Sequence, residues 1–265
     1  PVRYEGGDAM LAIERRACIK ETIQEQKSVA VSDLALRFDV TEETIRRDLK
    51  VLESQGVLTR TYGGAFIQGG AINEVDVTLR ETSYVDAKRQ IAAQCLQLIR
   101  NGDSIFLDSS TTALEIARAI RDMRLTVLTN SLLIADVLSH SESIRLQVIG
   151  GVLQPQSMSF LGEAALAALA PYYVDSAFVS CRSVSLDRGI TDSNEQSAAF
   201  RSDAIRRAGR VYLVADHTKF GQTSFVQICG FDALAGIVTD QPLSAPWHWM
   251  AQERKLLLLE NAPEA

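Results

Sequence analysis

Apolar positions recur with a helical period over the first part of the chain and in short, near-continuous runs over most of the rest. A helix is predicted over 13–26, with Ile13, Ala17, Ile19 and Ile23 turned inward. From 31 to 53 the pattern reads as a short helix, a tight turn and a second helix. Ile45, Leu49 and Leu52 recur at i, i+4 and i+7, so one stripe of the second helix faces a core. Ser32 is placed to cap the first helix and Thr41 the second, because a short side-chain oxygen accepts from the free N–H groups of a first turn. Asp33, Glu42 and Glu43 put negative charge where those helix N-termini are partly positive. Gly56 ends the second helix, 57–60 reads as a strand, and Gly63-Gly64 makes a turn.

At about 100° per residue, the side of the second helix opposite its apolar stripe carries Glu43, Arg46, Arg47 and Lys50. Three cations on the outer face of an anchored helix suit the major groove of DNA. Arginine there reads guanine edges or holds phosphates, and lysine mainly holds phosphates. The bland alternative is a solvated helix face. The capped helix upstream and the strand and turn downstream favour DNA binding, and together they describe a winged helix-turn-helix. The candidate DNA-binding residues are Ser32, Thr41, Glu43, Thr44, Arg46, Arg47, Lys50, Arg60, Tyr62, Gly63 and Gly64.

Gln68-Gly69-Gly70-Ala71-Ile72-Asn73 is a glycine-rich break. It divides the chain into a DNA-binding domain over 1–70, a linker over 71–87 and a second domain over 88–265. After an apolar-periodic helix over 88–100, strands are predicted at 104–108, 125–129, 146–149, 175–181, 211–216 and 235–240. Helices fall between them at 113–120, 131–138, 162–169 and 194–208. Near-continuous apolar strands joined by helices mean a mostly parallel α/β sheet covered on both faces. Ligands of such sheets sit beyond the carboxyl ends of the strands.

Those ends carry polar residues. Asp108-Ser109-Ser110-Thr111-Thr112 stands where a strand gives way to a helix. Small hydroxyls and free N–H groups there form an anion cradle suited to phosphate; the alternative is an ordinary helix cap. Other strand ends supply Asn130, Gly151, Ser180 and Arg182, and Lys219 stands where a lysine can meet a phosphate as a point charge. Glu195 opens a helix, either in the site or simply as favourable charge at an N-terminus.

Composition limits the classes. The chain has 265 residues, 46% of them apolar and 23% charged, which is ordinary for a protein with a real core. Its net charge of −6 argues weakly against DNA. The objection fails because the acidity is spread along the chain while the recognition face is locally cationic. Cys18, Cys95, Cys181 and Cys229 lack paired spacing for zinc, and His140, His217 and His248 lack ligand spacing, so reduced thiols and no metal or cofactor are expected. The longest apolar run, 256–259, is too short to span a bilayer, and a cytoplasmic protein is expected. Residues 1–9 lack periodicity and Met10 is a natural start, so they read as an appended or frayed tail.

Val40-Thr41-Glu42-Glu43-Thr44-Ile45-Arg46-Arg47-Asp48-Leu49, followed by Arg60-Thr61-Tyr62-Gly63-Gly64-Ala65, strongly resembles the DeoR family of bacterial transcriptional regulators. Gly150-Gly151, Thr129-Asn130-Ser131 and Asp216-His217-Thr218-Lys219 resemble its effector domain, over about 88–240. That domain is similar to ribose-5-phosphate isomerase and CoA-transferase-like folds and senses phosphorylated sugars or related metabolites. The resemblance implies that Ser109, Ser110, Thr111, Thr112 and Lys219 hold the phosphate, with Asn130, Gly151 and Glu195 nearby. It implies a repressor of a carbohydrate-utilisation operon, released from a double-stranded operator by a phosphorylated sugar or polyol. A symmetric homo-oligomer, dimer or tetramer, is expected because two half-sites multiply specificity.

The rival reading is a sugar-phosphate isomerase with a DNA-binding appendage. Enediol chemistry needs a carboxylate base and an electrophile. In the isomerases the strand matching 175–181 ends in an Asp-Gly-Ala-Asp loop, whereas here it ends in Ser180-Cys181-Arg182-Ser183, so binding without turnover is expected. Arg182 departs from the small residues usual in the family, either to pair with an anionic ligand or to plug the pocket. The tail after Asp240, with Pro242, Pro246, Trp247, Trp249 and the run Leu256 to Leu259, reads either as an oligomer contact or as a cover for the sheet.

Overall fold

Three helices and a small sheet share one apolar centre in the N-terminal part of the computed structural model, which describes residues 11–26, 28–60, 63–67 and 77–261. These belong to two compact units, Pro1–Ser83 and Tyr84–Ala265. The first contains α1 (Ala12–Gln26), β1 (Ser28–Ala30), α2 (Val31–Phe38), α3 (Glu42–Ser54), β2 (Thr59–Arg60), β3 (Gly64–Phe66) and α4 (Val77–Glu81). Ile19, Ile23, Leu34, Ile45, Leu49 and Leu52 form its core. The antiparallel order β1-β3-β2 makes the wing.

Two expectations for this unit are corrected. Ile13 and Ala17 are exposed, Ile13 at 75%. The buried stripe of α1 is Arg15, Ile19, Thr22 and Ile23, on the opposite side, because Arg15 turns inward to a partner on α3. Ser32 does not cap α2. The helix starts at Val31 directly out of β1, Ala30 is its N-cap without a side-chain bond, and Ser32 is an exposed residue of the first turn. Buried Val31, whose N–H donates to the Gly63 carbonyl at 2.8 Å, sets that start. At the other end of α3, Val57 N–H reaches the Leu52 carbonyl and Gly56 N–H the Glu53 carbonyl, with Gly56 at φ +69°. This is the Schellman stop that glycine allows without a Cβ penalty. The expected glycine-rich break at 68–73 lies outside the described residues.

The second unit opens with α5 (Val85–Cys95), tightened over Leu96–Leu98 into a 3-10 turn, so this helix begins three residues earlier than predicted. There follow β4 (Ser104–Leu107), α6 (Thr111–Ala119), β5 (Leu125–Thr129), α7 (Leu132–Leu138) and β6 (Ile144–Val148). The hairpin β7 (Val152–Gln154) and β8 (Ser159–Leu161) leads to α8 (Glu163–Leu169) and β9 (Val174–Val179). β10 (Ser183–Ser185) and β11 (Gly189–Asp192) precede α9 (Glu195–Arg206) and β12 (Ala208–Val214). β13 (Val226–Cys229), β14 (Gly236–Val238), α10 (Ala245–Glu253) and β15 (Leu257–Leu259) complete the chain.

Seven strands in the order β15-β14-β12-β9-β4-β5-β6 form one all-parallel sheet. Alternate residues feed two cores. Phe106 joins Val179 and Phe200 on one face, while Ile105 and Leu107 join Ile91 and Ile116 on the other. Both faces are therefore covered, as parallel sheets require. The hairpin and a second antiparallel sheet, β10-β11-β13, are additions that the hydrophobic pattern did not show, because strands of three or four residues carry too little alternation. Within one chain the tail covers the sheet. Trp247 on α10 packs edge-on to Phe220 and Phe231, and β15 adds the outermost strand beside β14.

Sheet order places the ligand end. The chain runs outward from β4 through β5 to β6, then returns to the other side of β4 with β9. The crevice of a doubly wound sheet lies where that order reverses, between β4 and β9.

Candidate functional site

Helix α3 presents the candidate DNA face. Thr41 is its N-cap, accepting from the Thr44 N–H at 3.3 Å, and the two hydroxyls lie 2.9 Å apart. Ile45, Leu49 and Leu52 are buried while Glu43, Arg47 and Lys50 are exposed. Arg46 Nη2 is 2.6 Å from Glu42 and Arg47 Nε 3.5 Å from Glu43, both i,i+4 pairs on the helix's own first turn. Exposed pairs of this kind contribute only a few tenths of a kcal/mol (about 0.3–0.5), so a phosphate or guanine edge competes readily for either arginine.

The wing is tied to this helix. Arg60 donates its N–H and its Nε–H to the carboxylate of Glu53, at 2.9 and 2.7 Å. Burial pushes the Glu53 carboxyl up, but the bonds and charge from Arg60 outweigh it and hold the group below its ordinary value. Gly64 lies where β3 meets β1; a Cβ there would stand 2.1 Å from the Val29 carbonyl oxygen. Gly63 is exposed at the preceding bend. Tyr62 lies outside the described residues.

Two residues that support this face escaped sequence reasoning. Asp48, within the Arg46-Arg47-Asp48 run, is 3% exposed and accepts a bond from Arg15 Nε at 2.5 Å. Both charges fall on the apolar stripes of their helices, Asp48 beside Leu49 and Arg15 four residues before Ile19. A charge on an apolar stripe was the available signal, because burial demands a partner.

The second candidate site gathers at the switch point. Asp108 follows β4 and is 1% exposed. Its Oδ1 accepts the Ser110 N–H at 3.0 Å; its Oδ2 accepts the Ser180 N–H at 2.9 Å and Arg201 Nε–H at 2.7 Å. Asp108 thus clamps the ends of β4 and β9 to α9. Ser110 caps α6, accepting the Ala113 N–H at 3.0 Å. Among the described residues no protein acceptor meets the first-turn N–H groups of Thr111 and Thr112, which stand with Ser109 and Ser110 in a buried polar patch.

Around the patch, Asn130 is 2% exposed and its Nδ2 donates to the Phe160 carbonyl at 3.0 Å, leaving a buried Oδ1 with no donor among the described residues. Lys219 Nζ stands 3.8 Å from Asp216, itself 1% exposed. Burial pushes the Asp216 carboxyl up, but Lys219, the Thr218 hydroxyl and Lys88 together pull it below the ordinary carboxylate value. His217 donates its N–H to Asp240 Oδ1 and places Nδ1 against Oδ2, each at 2.7 Å, with the Tyr84 ring edge-on at 5.8 Å. Half-buried Arg182 faces Asp192 and Asp216; burial lowers its pKa and those carboxylates oppose the shift.

Packing and capping account for the remaining two candidates. Gly151 is pressed against β8 and α8, where a Cβ would meet the Leu161 carbonyl at 2.7 Å and Ala165 at 2.8 Å, so packing alone demands glycine. Glu195 is exposed in the first turn of α9, which Asn194 caps. Arg201 and Lys88 were missed. Arg201 bridges Asp108 and Asp192, and Lys88 is 4% exposed. Burial disfavours the Arg201 charge, but Asp192 and Asp108 outweigh it and hold the guanidinium protonated. Each is again a cation on an apolar stripe: Lys88 with Ile91, Ala92 and Cys95, Arg201 with Ala198, Ala204 and Ile205. The four cysteines form no disulfide. Among the described residues no three His, Cys, Asp or Glu side chains converge to hold a metal, and no helix is long and apolar enough to cross a membrane.

A winged helix-turn-helix carried on the same chain as a parallel α/β unit with a buried polar patch defines a DNA-binding regulator that answers to a small molecule. Residues 15–68 match the DeoR-like helix-turn-helix domain and residues 83–241 the DeoR C terminal sensor domain. The chain belongs to the DeoR family of transcriptional regulators. It is 38% identical over 234 residues to the uncharacterized HTH-type transcriptional regulator YulB of Bacillus subtilis (strain 168), covering 88% of this chain and 91% of that one. It is 31% identical over 228 residues to the HTH-type transcriptional repressor GlcR of the same organism, covering 86% and 88%. Ribose 5-phosphate isomerase A from Methanocaldococcus jannaschii overlays 52% of this chain and 55% of its own, at 17% identity and a TM-score of 0.40.

Proposed function

We propose that this regulator represses a carbohydrate-utilisation operon and leaves its operator when a phosphorylated sugar or polyol binds the α/β unit. The reading rests on the first turn of α6. Its N–H groups stand at the switch point of the sheet, an arrangement that stabilises an anion through the helix dipole and directed donors. Lys219 supplies a cation, and the vacant Asn130 Oδ1 takes a hydroxyl of the ligand. A buried acceptor without a donor costs about 1–3 kcal/mol, which such a hydroxyl recovers. Ser109, Ser110, Thr111 and Thr112 contact the phosphate; Ser180, Arg182, Gly151 and Glu195 shape or flank the site.

The ligand is bound without turnover, and no metal or cofactor takes part. The loop after β9 is Ser180-Cys181-Arg182-Ser183, Asp108 is fully engaged by Ser110, Ser180 and Arg201, and Glu195 is exposed. The loop offers no carboxylate and Asp108 is not free to act as a base, which leaves Glu195 without a partner acid. DNA is read by Arg46, Arg47 and Lys50 with Thr41, Thr44, Arg60 and the wing, on chromosomal DNA in the cytoplasm and as a homo-oligomer. The test is operator affinity measured with and without a panel of sugar phosphates. A fall in affinity with at least one member is expected; a flat response across a broad panel overturns the induction scheme while leaving DNA binding intact.

A further inference from the structure

Strand β15 is one edge of the seven-stranded sheet, and its backbone shows which groups face outward. Leu257 N–H donates to the Ala235 carbonyl at 3.0 Å, and the Leu259 carbonyl accepts the Thr239 N–H at 2.9 Å. Residues 257 and 259 therefore bond inward to β14. Because direction alternates along a parallel strand, the N–H and C=O of Leu258 point away from the sheet.

An open edge invites another strand, and proteins usually blunt it with charge, proline or a bulge. The opposite edge, β6, carries Arg145 and Gln147. β15 carries neither charge nor proline: the run is Leu256-Leu257-Leu258-Leu259, with Leu257 41% exposed. Charge is confined to its ends, Arg254 and Lys255 before it and Glu260 after it.

We infer that β15 pairs antiparallel with β15 of a second copy of this chain, about a twofold axis through Leu257. Antiparallel pairing brings the cationic end of each strand to the acidic end of the other, whereas parallel pairing would set like charges together. A twofold axis perpendicular to the sheet places one residue opposite its own copy. Leu257 suits that place, because it is the most open leucine of the run and its N–H and C=O point inward, as a non-hydrogen-bonded pair requires. Leu256 then faces Leu258 of the other chain on both sides of the axis; its N–H stays on the Ala251 carbonyl at 2.8 Å, while its carbonyl takes the outward N–H of Leu258. The two sheets become one.

This contact would serve the oligomer proposed above but stands on edge-strand geometry alone. Its test is the mass of the full chain by sedimentation, with Leu257→Glu and Leu258→Pro. Leu257→Glu sets two carboxylates at the axis, at an exposed position that costs the fold little. Leu258→Pro removes an outward N–H and no bond to β14, a placement that edge strands tolerate. Leu257→Glu should melt like the parent and Leu258→Pro somewhat below it, because Leu258 packs against the core; both should lose one level of assembly, Leu257→Glu with the dissociation constant raised roughly a hundredfold by like charge. Leu257→Cys should form a reducible cross-link between copies, since non-hydrogen-bonded partners stand about 4.5 Å apart at Cα. Unchanged assembly in a folded Leu257→Glu chain overturns this contact without touching the oligomer reading. A parent chain that is monomeric at every concentration overturns both.

Discussion

The guanidinium of Arg15 and the carboxylate of Asp48 meet at 2.5 Å with both side chains buried. They join α1 to α3 inside the DNA-binding unit, directly behind Arg46 and Arg47. Asp48 belongs to the motif that marks the family, yet it faces away from the DNA side. Its work is to orient α3, the helix proposed to read DNA.

Removing one partner should therefore act through folding. Asp48→Ala leaves Arg15 buried without its carboxylate and is expected to cost about 3–5 kcal/mol. Denaturant unfolding of the full chain checks this. DNA affinity should fall with the folded fraction, and a variant that unfolds like the parent yet fails to bind would make Asp48 a contact residue.

Arg46→Ala should weaken operator binding by roughly 1–3 kcal/mol and relax specificity at one base position. Arg47, the more exposed of the two, is expected to hold phosphate. Arg47→Ala should weaken all sequences alike and reduce the salt slope by about one. Binding isotherms on operator and scrambled duplexes at several salt concentrations separate the two behaviours.

Gly64→Ala tests the wing. The new Cβ would sit 2.1 Å from the Val29 carbonyl oxygen and 2.9 Å from the Leu79 side chain, so β1 and β3 must separate. A loss of about 3 kcal/mol is expected, at the upper end for overpacking, together with loss of DNA binding. Gly63→Ala, where nothing lies within 4 Å of the added carbon, should be nearly silent.

In the α/β unit, Lys219→Ala should abolish the response to effector while leaving operator affinity unchanged. Arg201→Ala should behave differently. It strips Asp108 and Asp192 of their shared cation and is expected to cost about 3–5 kcal/mol, visible in the melting curve before any ligand is added.

Two groups give opposite pH signatures. His248 is raised above its ordinary 6.5 by the bond to Glu260 at 3.0 Å and by that carboxylate's charge. Its stabilisation is complete below the unfolded pKa and is lost as pH rises through the folded one. The melting-temperature gap between the parent and His248→Ala should therefore shrink from about pH 5.5 to about pH 8. Asp216 is held below its ordinary 3.8 by Lys219, Thr218 and Lys88 against the effect of burial. Its contribution is present above the unfolded pKa and is lost as pH falls through the folded one, so Asp216→Asn should flatten the acid limb of stability.

What the chain determines locally is readable from its residues alone. Thr41 caps α3, Gly56 stops it, Ile45, Leu49 and Leu52 turn inward, and alternating apolar strands and helices announce a parallel sheet. These features depend on neighbours within a few positions, where backbone geometry and side-chain period decide the outcome. The tertiary structure decided which charges are buried in pairs, because Arg15 lies 33 residues from Asp48 and Arg201 lies 93 from Asp108. It also decided that β9 returns to β4, so that Asp108 and Ser180 share one crevice, and that the leucine tail becomes an open sheet edge. No periodicity carries that information. A buried charge is tolerated only where a distant part of the chain supplies its partner, and strand order is settled by packing across the whole sheet.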